Sequence, residues 1–124
     1  MDPGELQRRA FEFALRVVRL VRAMPKTVEG RAVSGQLVRS GTSVGANYRA
    51  CCKSRSRAEF IAKIGIVEEE INESVYWLEL IVASAMLPAR RVEPLLNEAR
   101  ELEKILGYGK STSPGMGVKS LPPT

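Results

Sequence analysis

The sequence has no histidine, and its two cysteines, Cys51 and Cys52, are adjacent. A zinc site draws three or four ligands from histidine, cysteine and carboxylate at defined spacing. Neighbours on a helix point about 100° apart, so this pair is poorly placed to chelate or to bridge. Catalysis by an acid–base histidine, or by a nucleophile activated by one, is excluded. Arg49 and Lys53 are the only features that would depress a nearby thiol pKa, and they are too little to predict an enzyme. No metal and no cofactor are expected. Aromatic residues are scarce (three Phe, three Tyr, one Trp), so stacking on unpaired bases is not expected to dominate any nucleic-acid contact. No apolar run approaches the roughly 18 residues of a membrane span. The first apolar pattern is interrupted by Arg8, Arg9 and Glu12, unlike a secretory signal. A cytoplasmic protein with no membrane partner is the expectation.

What is present is helical periodicity, with no strand signal. Leu6, Ala10, Phe13, Ala14, Val17, Leu20, Val21 and Met24 recur on one helical face before Pro25 stops the segment, and Asp2-Pro3 suits its start. A second helix is expected over about Val28 to Lys53, with Val33, Leu37, Val44, Tyr48 and Cys51 inward. Gly41 and Gly45 interrupt that stretch, but the stripe stays in phase across them. They read as points of close helix approach, a kink being the alternative. The segment lacks a Gly-Lys-Ser/Thr ending and a preceding strand, so it is not a phosphate loop. Ser56-Arg57-Ala58-Glu59 has capping-box form and opens a third helix of about 30 residues, reaching toward Pro88. A fourth begins near Arg90 or Arg91, holds Pro94 in its first turn and stops at Gly107. The expected architecture is all-α: an antiparallel up-down-up-down four-helix bundle over residues 1–107, with a disordered tail over 108–124.

Charge is unevenly distributed. Residues 1–57 hold twelve Lys/Arg against four Asp/Glu, whereas residues 58–124 hold seven against ten. The basic half suits a polyanion or an acidic partner surface. Arg8, Arg9, Arg16, Arg19, Arg22, Arg39, Arg49, Lys53, Arg55 and Arg57 are the candidate nucleic-acid contacts. A polar row of Gln36, Ser40, Ser43 and Asn47 borders the apolar stripe of the second helix and needs hydrogen-bond partners, from a neighbouring helix, another subunit or a ligand. Phe11 and Val18 lie at the margin of the first core face. On the third helix Ile66, Glu70, Glu73, Trp77 and Leu80 form a second row that one bundle would leave partly exposed. Phe11, Val18, Gln36, Ser43, Asn47, Ile66, Glu73, Trp77 and Leu80 are therefore the candidate oligomer interface. Glu68, Glu69, Glu70 and Glu73 lack the histidines of a di-iron bundle and read as solvated or salt-bridged.

Several of these segments combine into a recognisable pattern: Phe11 and Ala14, the Met24-Pro25 stop, Gln36-x-x-Arg39-Ser40-x-x-Ser43-Val44-x-x-Asn47, Ser56-x-x-Glu59-Phe60, and Glu69 through Trp77-Leu78-Glu79-Leu80. Over about residues 5–107 the chain resembles the bacterial four-helix bundle proteins named after intervening sequences of large-subunit ribosomal RNA genes. It departs from them where Ala50-Cys51 replaces a Glu-Gly pair, so no role of that pair carries over. The resemblance implies a left-handed antiparallel bundle assembling as a ring-like homopentamer. It also implies kinship with the accessory protein of diversity-generating retroelements, a basic pentameric barrel that binds nucleic acid and a reverse transcriptase. It implies no enzyme. Two functions follow as expectations: an oligomer that binds RNA or DNA, or a homo-oligomeric scaffold for a protein partner whose arginines are occupied by carboxylates.

Overall fold

The computed structural model describes the backbone of residues 1–111 and the side chains of residues 1–107. Four helices account for nearly all of it: α1 (Pro3–Arg22), α2 (Val28–Cys51), α3 (Arg57–Ser84) and α4 (Ala89–Ser111). No strand occurs among the described residues, and none of their helices is long and apolar enough to cross a membrane.

The helix starts follow the expected chemistry. Asp2 accepts from the Glu5 amide at 3.0 Å, Thr27 from Gly30 at 3.0 Å and Ser56 from Glu59 at 3.1 Å. The carboxylate of Glu59 turns back to the Arg55 amide, at 3.4 Å, rather than to Ser56. The ends differ more. α3 stops at Ser84, short of Pro88, because Ala85 adopts a left-handed conformation with φ 59°. α4 begins at Ala89, so Pro94 lies in its second turn, not its first. There it removes the amide that would bond the carbonyl of Arg90. α4 also runs through Gly107 to Ser111. Glycine permits a helix to end but does not compel it. Of the segment expected as a disordered tail, residues 108–111 are thus helical, and 112–124 lie outside the described residues.

Each helix packs on the next in sequence, and α1 closes on α4 through the thinnest of the four contacts. Phe13, Val17, Leu37, Val44, Val67, Ile71, Leu78, Ile81, Val92 and Leu102 are fully enclosed between them. The two glycines of α2 sit where α1 comes closest. A Cβ at Gly41 would stand 2.8 Å from Val17 Cγ2, and one at Gly45 would stand 3.4 Å from the Ala10 carbonyl oxygen. α2 continues unbroken through both, as the in-phase stripe predicts. One polar pair lies inside the α2–α3 contact. Ser40 and Ser74 are both buried, with hydroxyl oxygens 3.0 Å apart. Ser40 donates to the Leu37 carbonyl at 3.4 Å, and the Glu70 carbonyl accepts from Ser74 at 2.9 Å.

Candidate nucleic-acid interface

The ten candidate cations divide by their partners. Arg9 donates from Nε and Nη2 to Glu98 on α4, at 2.7 and 2.9 Å. This bidentate bond, chiefly, raises the pKa of the guanidinium. Arg39 bridges α2 to α3: it donates to Glu70 at 3.3 Å, to Glu73, and within its own helix to Gln36 at 3.3 Å. The side-chain cations of Arg8, Arg16, Arg19, Arg22, Arg49, Lys53, Arg55 and Arg57 have no carboxylate within 4.0 Å among the described residues. All eight are exposed except Arg16, which is half-buried.

These eight are not one patch. Lys53, Arg55 and Arg57 cluster around the α2–α3 turn. Arg49 lines a groove between α1 and α2. Arg16 and Arg19 line a cleft where α1 meets α4, together with Arg91. Arg91 is absent from the sequence-based set because it belongs to the half of the chain with net negative charge. Only the α1–α4 contact brings it to the basic helix.

The apolar candidate interface residues fall on two faces flanking α2. Phe11 and Val18 line the α1–α2 groove of about 330 Å³ with Ala14, Leu15 and Ala46, and Phe11 is 53% exposed. On α3, Ile66 and Tyr76 are exposed at 46% and 56%, while Trp77 and Leu80 are half-buried against the core. Tyr76 is an addition to the sequence-based set; its ring stands edge-on to Trp77, centroids 4.9 Å apart. Glu73 accepts from Trp77 Nε1 at 3.0 Å as well as from Arg39. Its pKa is lowered, first by Arg39 and then by Trp77. Ser43 and Asn47 satisfy themselves within α2, donating to the carbonyls of Arg39 and Ser43 at 2.7 and 2.9 Å.

The cysteines part company. Cys51 is buried, its thiol 3.7 Å from the Phe60 carbonyl oxygen, whereas Cys52 is exposed. Burial pushes the Cys51 thiol up to about 11 against a smaller opposing effect of Lys63. The basic neighbours in sequence therefore do not activate Cys51. Burial and contact with Cys52 likewise raise Tyr48. Among the described residues no group of three or more histidine, cysteine or carboxylate side chains is placed to hold a metal ion.

The model of the 23S rRNA-intervening sequence protein family matches residues 5–108. Among solved structures, a protein of unknown function from the S23 ribosomal protein family of Bacteroides thetaiotaomicron is similar to this chain, with a TM-score of 0.76 and 35% identity. The match covers 85% of this chain and 97% of that one. A comparison with curated proteins returns no match.

Proposed function

We propose that this chain, which belongs to the 23S rRNA-intervening sequence protein family, is a non-enzymatic, cytoplasmic homo-oligomer that binds the phosphodiester backbone of nucleic acid. The observation that carries this reading is that the side-chain cations of eight of the ten basic-half candidates have no carboxylate partner among the described residues. Exposed guanidinium groups without internal partners contact phosphates without reading bases, and repetition of the surface in an oligomer multiplies the effect.

The oligomer is read as a ring-like homopentamer of up-down-up-down antiparallel bundles. Register supports the antiparallel arrangement: Gly41 faces Val17 while Gly45 faces Ala10, and Asn72 bonds Glu103 while Glu79 bonds Arg100. Assembly is supported by the two apolar faces, which leave Phe11, Ile66 and Tyr76 exposed on a single chain. A Phe11→Asp variant is expected to lower the assembly mass measured by light scattering; an unchanged mass would remove the α1–α2 groove from the interface.

The direct test is binding to short RNA and DNA, single-stranded and duplex, at two salt concentrations. Affinity that falls steeply with salt supports phosphate contact. The competing reading is a protein-interaction scaffold, favoured by the occupation of Arg9 and Arg39 by Glu98, Glu70 and Glu73. Absence of binding even at low salt would make the scaffold the better reading.

A further inference from the structure

The contact between α1 and α4 changes character along its length. At Arg9 it is closed by a bidentate ion pair to Glu98, both side chains partly buried. Seven residues on from Arg9, two helical turns, stands Arg16. Seven residues back from Glu98 stands Arg91. The second level of the seam thus places arginine against arginine where the first places arginine against glutamate. Arg16, Arg19 and Arg91 line one cleft of about 200 Å³, floored by Leu20, Pro94 and Leu95. No carboxylate lies within 4.0 Å of any of the three among the described residues. The acidic residues nearest them in sequence, Glu12 and Glu93, are exposed and form no such pair. Like charges gathered at a seam repel, and an apolar floor screens them less than water does.

We infer that the Arg16–Arg19–Arg91 cleft is an anion site that takes backbone phosphates of a nucleic acid, with the guanidinium groups of two helices converging on the same strand. This rests on the nucleic-acid reading and narrows it: the site lies on the α1–α4 seam, away from the apolar faces that flank α2. Arg9 and Arg39 are ion-pair formers within the chain, and Arg49 belongs to the groove. Arginine suits the role because its planar fork pairs with phosphate oxygens in a bidentate manner.

Two variants test the assignment, read by fluorescence anisotropy with a single-stranded RNA and a DNA duplex of about 20 nucleotides per strand, the scale of a multi-phosphate footprint. Arg16→Ala/Arg19→Ala/Arg91→Ala is expected to weaken binding at least about tenfold and to lower the salt slope on duplex by about 2 to 3, near 0.9 for each phosphate that is no longer neutralised. A control that removes equal charge outside the candidate contacts, Arg31→Ala/Lys63→Ala/Lys104→Ala, is expected to change affinity less than about threefold. Equal weakening by both would mean diffuse attraction and would overturn the cleft while leaving the nucleic-acid reading intact. Failure of the unaltered protein to bind either probe would overturn both. The second variant, Arg91→Glu, recreates at Arg16 the pairing that Glu98 gives Arg9. It is expected to raise the melting temperature and to weaken binding together. Unchanged binding by a more stable Arg91→Glu protein would show that the cleft is not the phosphate site, and a lower melting temperature would show that Arg16 and Arg91 do not meet across the seam.

Discussion

Gly41 and Val17 are in contact so close that no side chain fits between their helices: a Cβ on Gly41 would meet three atoms of Val17 at 2.8, 3.0 and 3.3 Å. Val17 is fully enclosed and β-branched, so it has little room to turn away. Gly41→Ala gains about 1 kcal/mol of helix propensity and loses about 1–3 kcal/mol to overpacking. The expected net effect is a loss of about 1 kcal/mol, by the difference of those two terms. Gly35→Ala is the internal control, because nothing lies within 4 Å of a Cβ there. It is expected to stabilise by about 0.5–1 kcal/mol. Urea denaturation of the two variants should move the midpoint in opposite directions. A stabilised Gly41→Ala protein would mean that α1 and α2 are not held this close in solution.

The end of α3 carries an avoidable cost. Ala85 has φ 59°, a conformation that an L-residue with a Cβ enters at about 1–2 kcal/mol. The position is exposed, and its amide donates to the carbonyls of Ile81 and Val82. Glycine adopts the same geometry without the steric term. Ala85→Gly is therefore expected to raise stability by about 1 kcal/mol in thermal or urea denaturation. A drop in melting temperature would show that the left-handed cap is not kept in solution.

Much of this architecture is legible in the sequence because the apolar stripes of α1, α2 and α3 are long and in phase, and because Asp2 and Ser56 are chemically suited to cap. Gly41 and Gly45 are legible for the same reason: an unbroken stripe across two glycines leaves close approach as the better account. The ends of α3 and α4 depart from expectation where backbone conformation is set locally against residue preference, at Ala85 and Pro94. The surface is less legible. Periodicity places Arg9, Arg16 and Arg19 on one helix but says nothing of which residue of α4 each one meets. Glu98 and Arg91 come to the same seam from far along the chain, and only packing separates a paired arginine from a free one.

Cys51 and Cys52 should differ in reactivity although they are neighbours. The thiolate is the reactive form, and Cys51 combines burial with a pKa of about 11. A disulfide-exchange reagent at a mildly alkaline pH is expected to titrate one thiol rapidly, that of exposed Cys52, and the second only after denaturation. Two rapid equivalents would show that the end of α2 opens readily. A Cys52→Ser protein that still gave one rapid equivalent would reverse the assignment.

The Glu73 carboxylate joins Arg39 on α2 to Trp77 on α3, and its ionisation should be visible through that ring. Both hydrogen bonds favour the charged carboxylate, which lowers its pKa below the ordinary 4.5. A group depressed in the folded state contributes stability at pH above its unfolded value, and that contribution disappears as pH falls through the lower folded value. The stability difference between the unaltered protein and Glu73→Gln should therefore be present at neutral pH and shrink below about pH 4.5, the unfolded reference. The bridge is half-exposed, which keeps the difference modest. Trp77 is the only tryptophan in the sequence, so fluorescence excited at its absorption edge isolates the site. Its emission should titrate with a midpoint below 4.5 in the unaltered protein and lose that transition in Glu73→Gln. A transition that persists in the variant would assign the titration to another carboxylate. A midpoint above 4.5 would mean that the Arg39 bridge does not hold in solution.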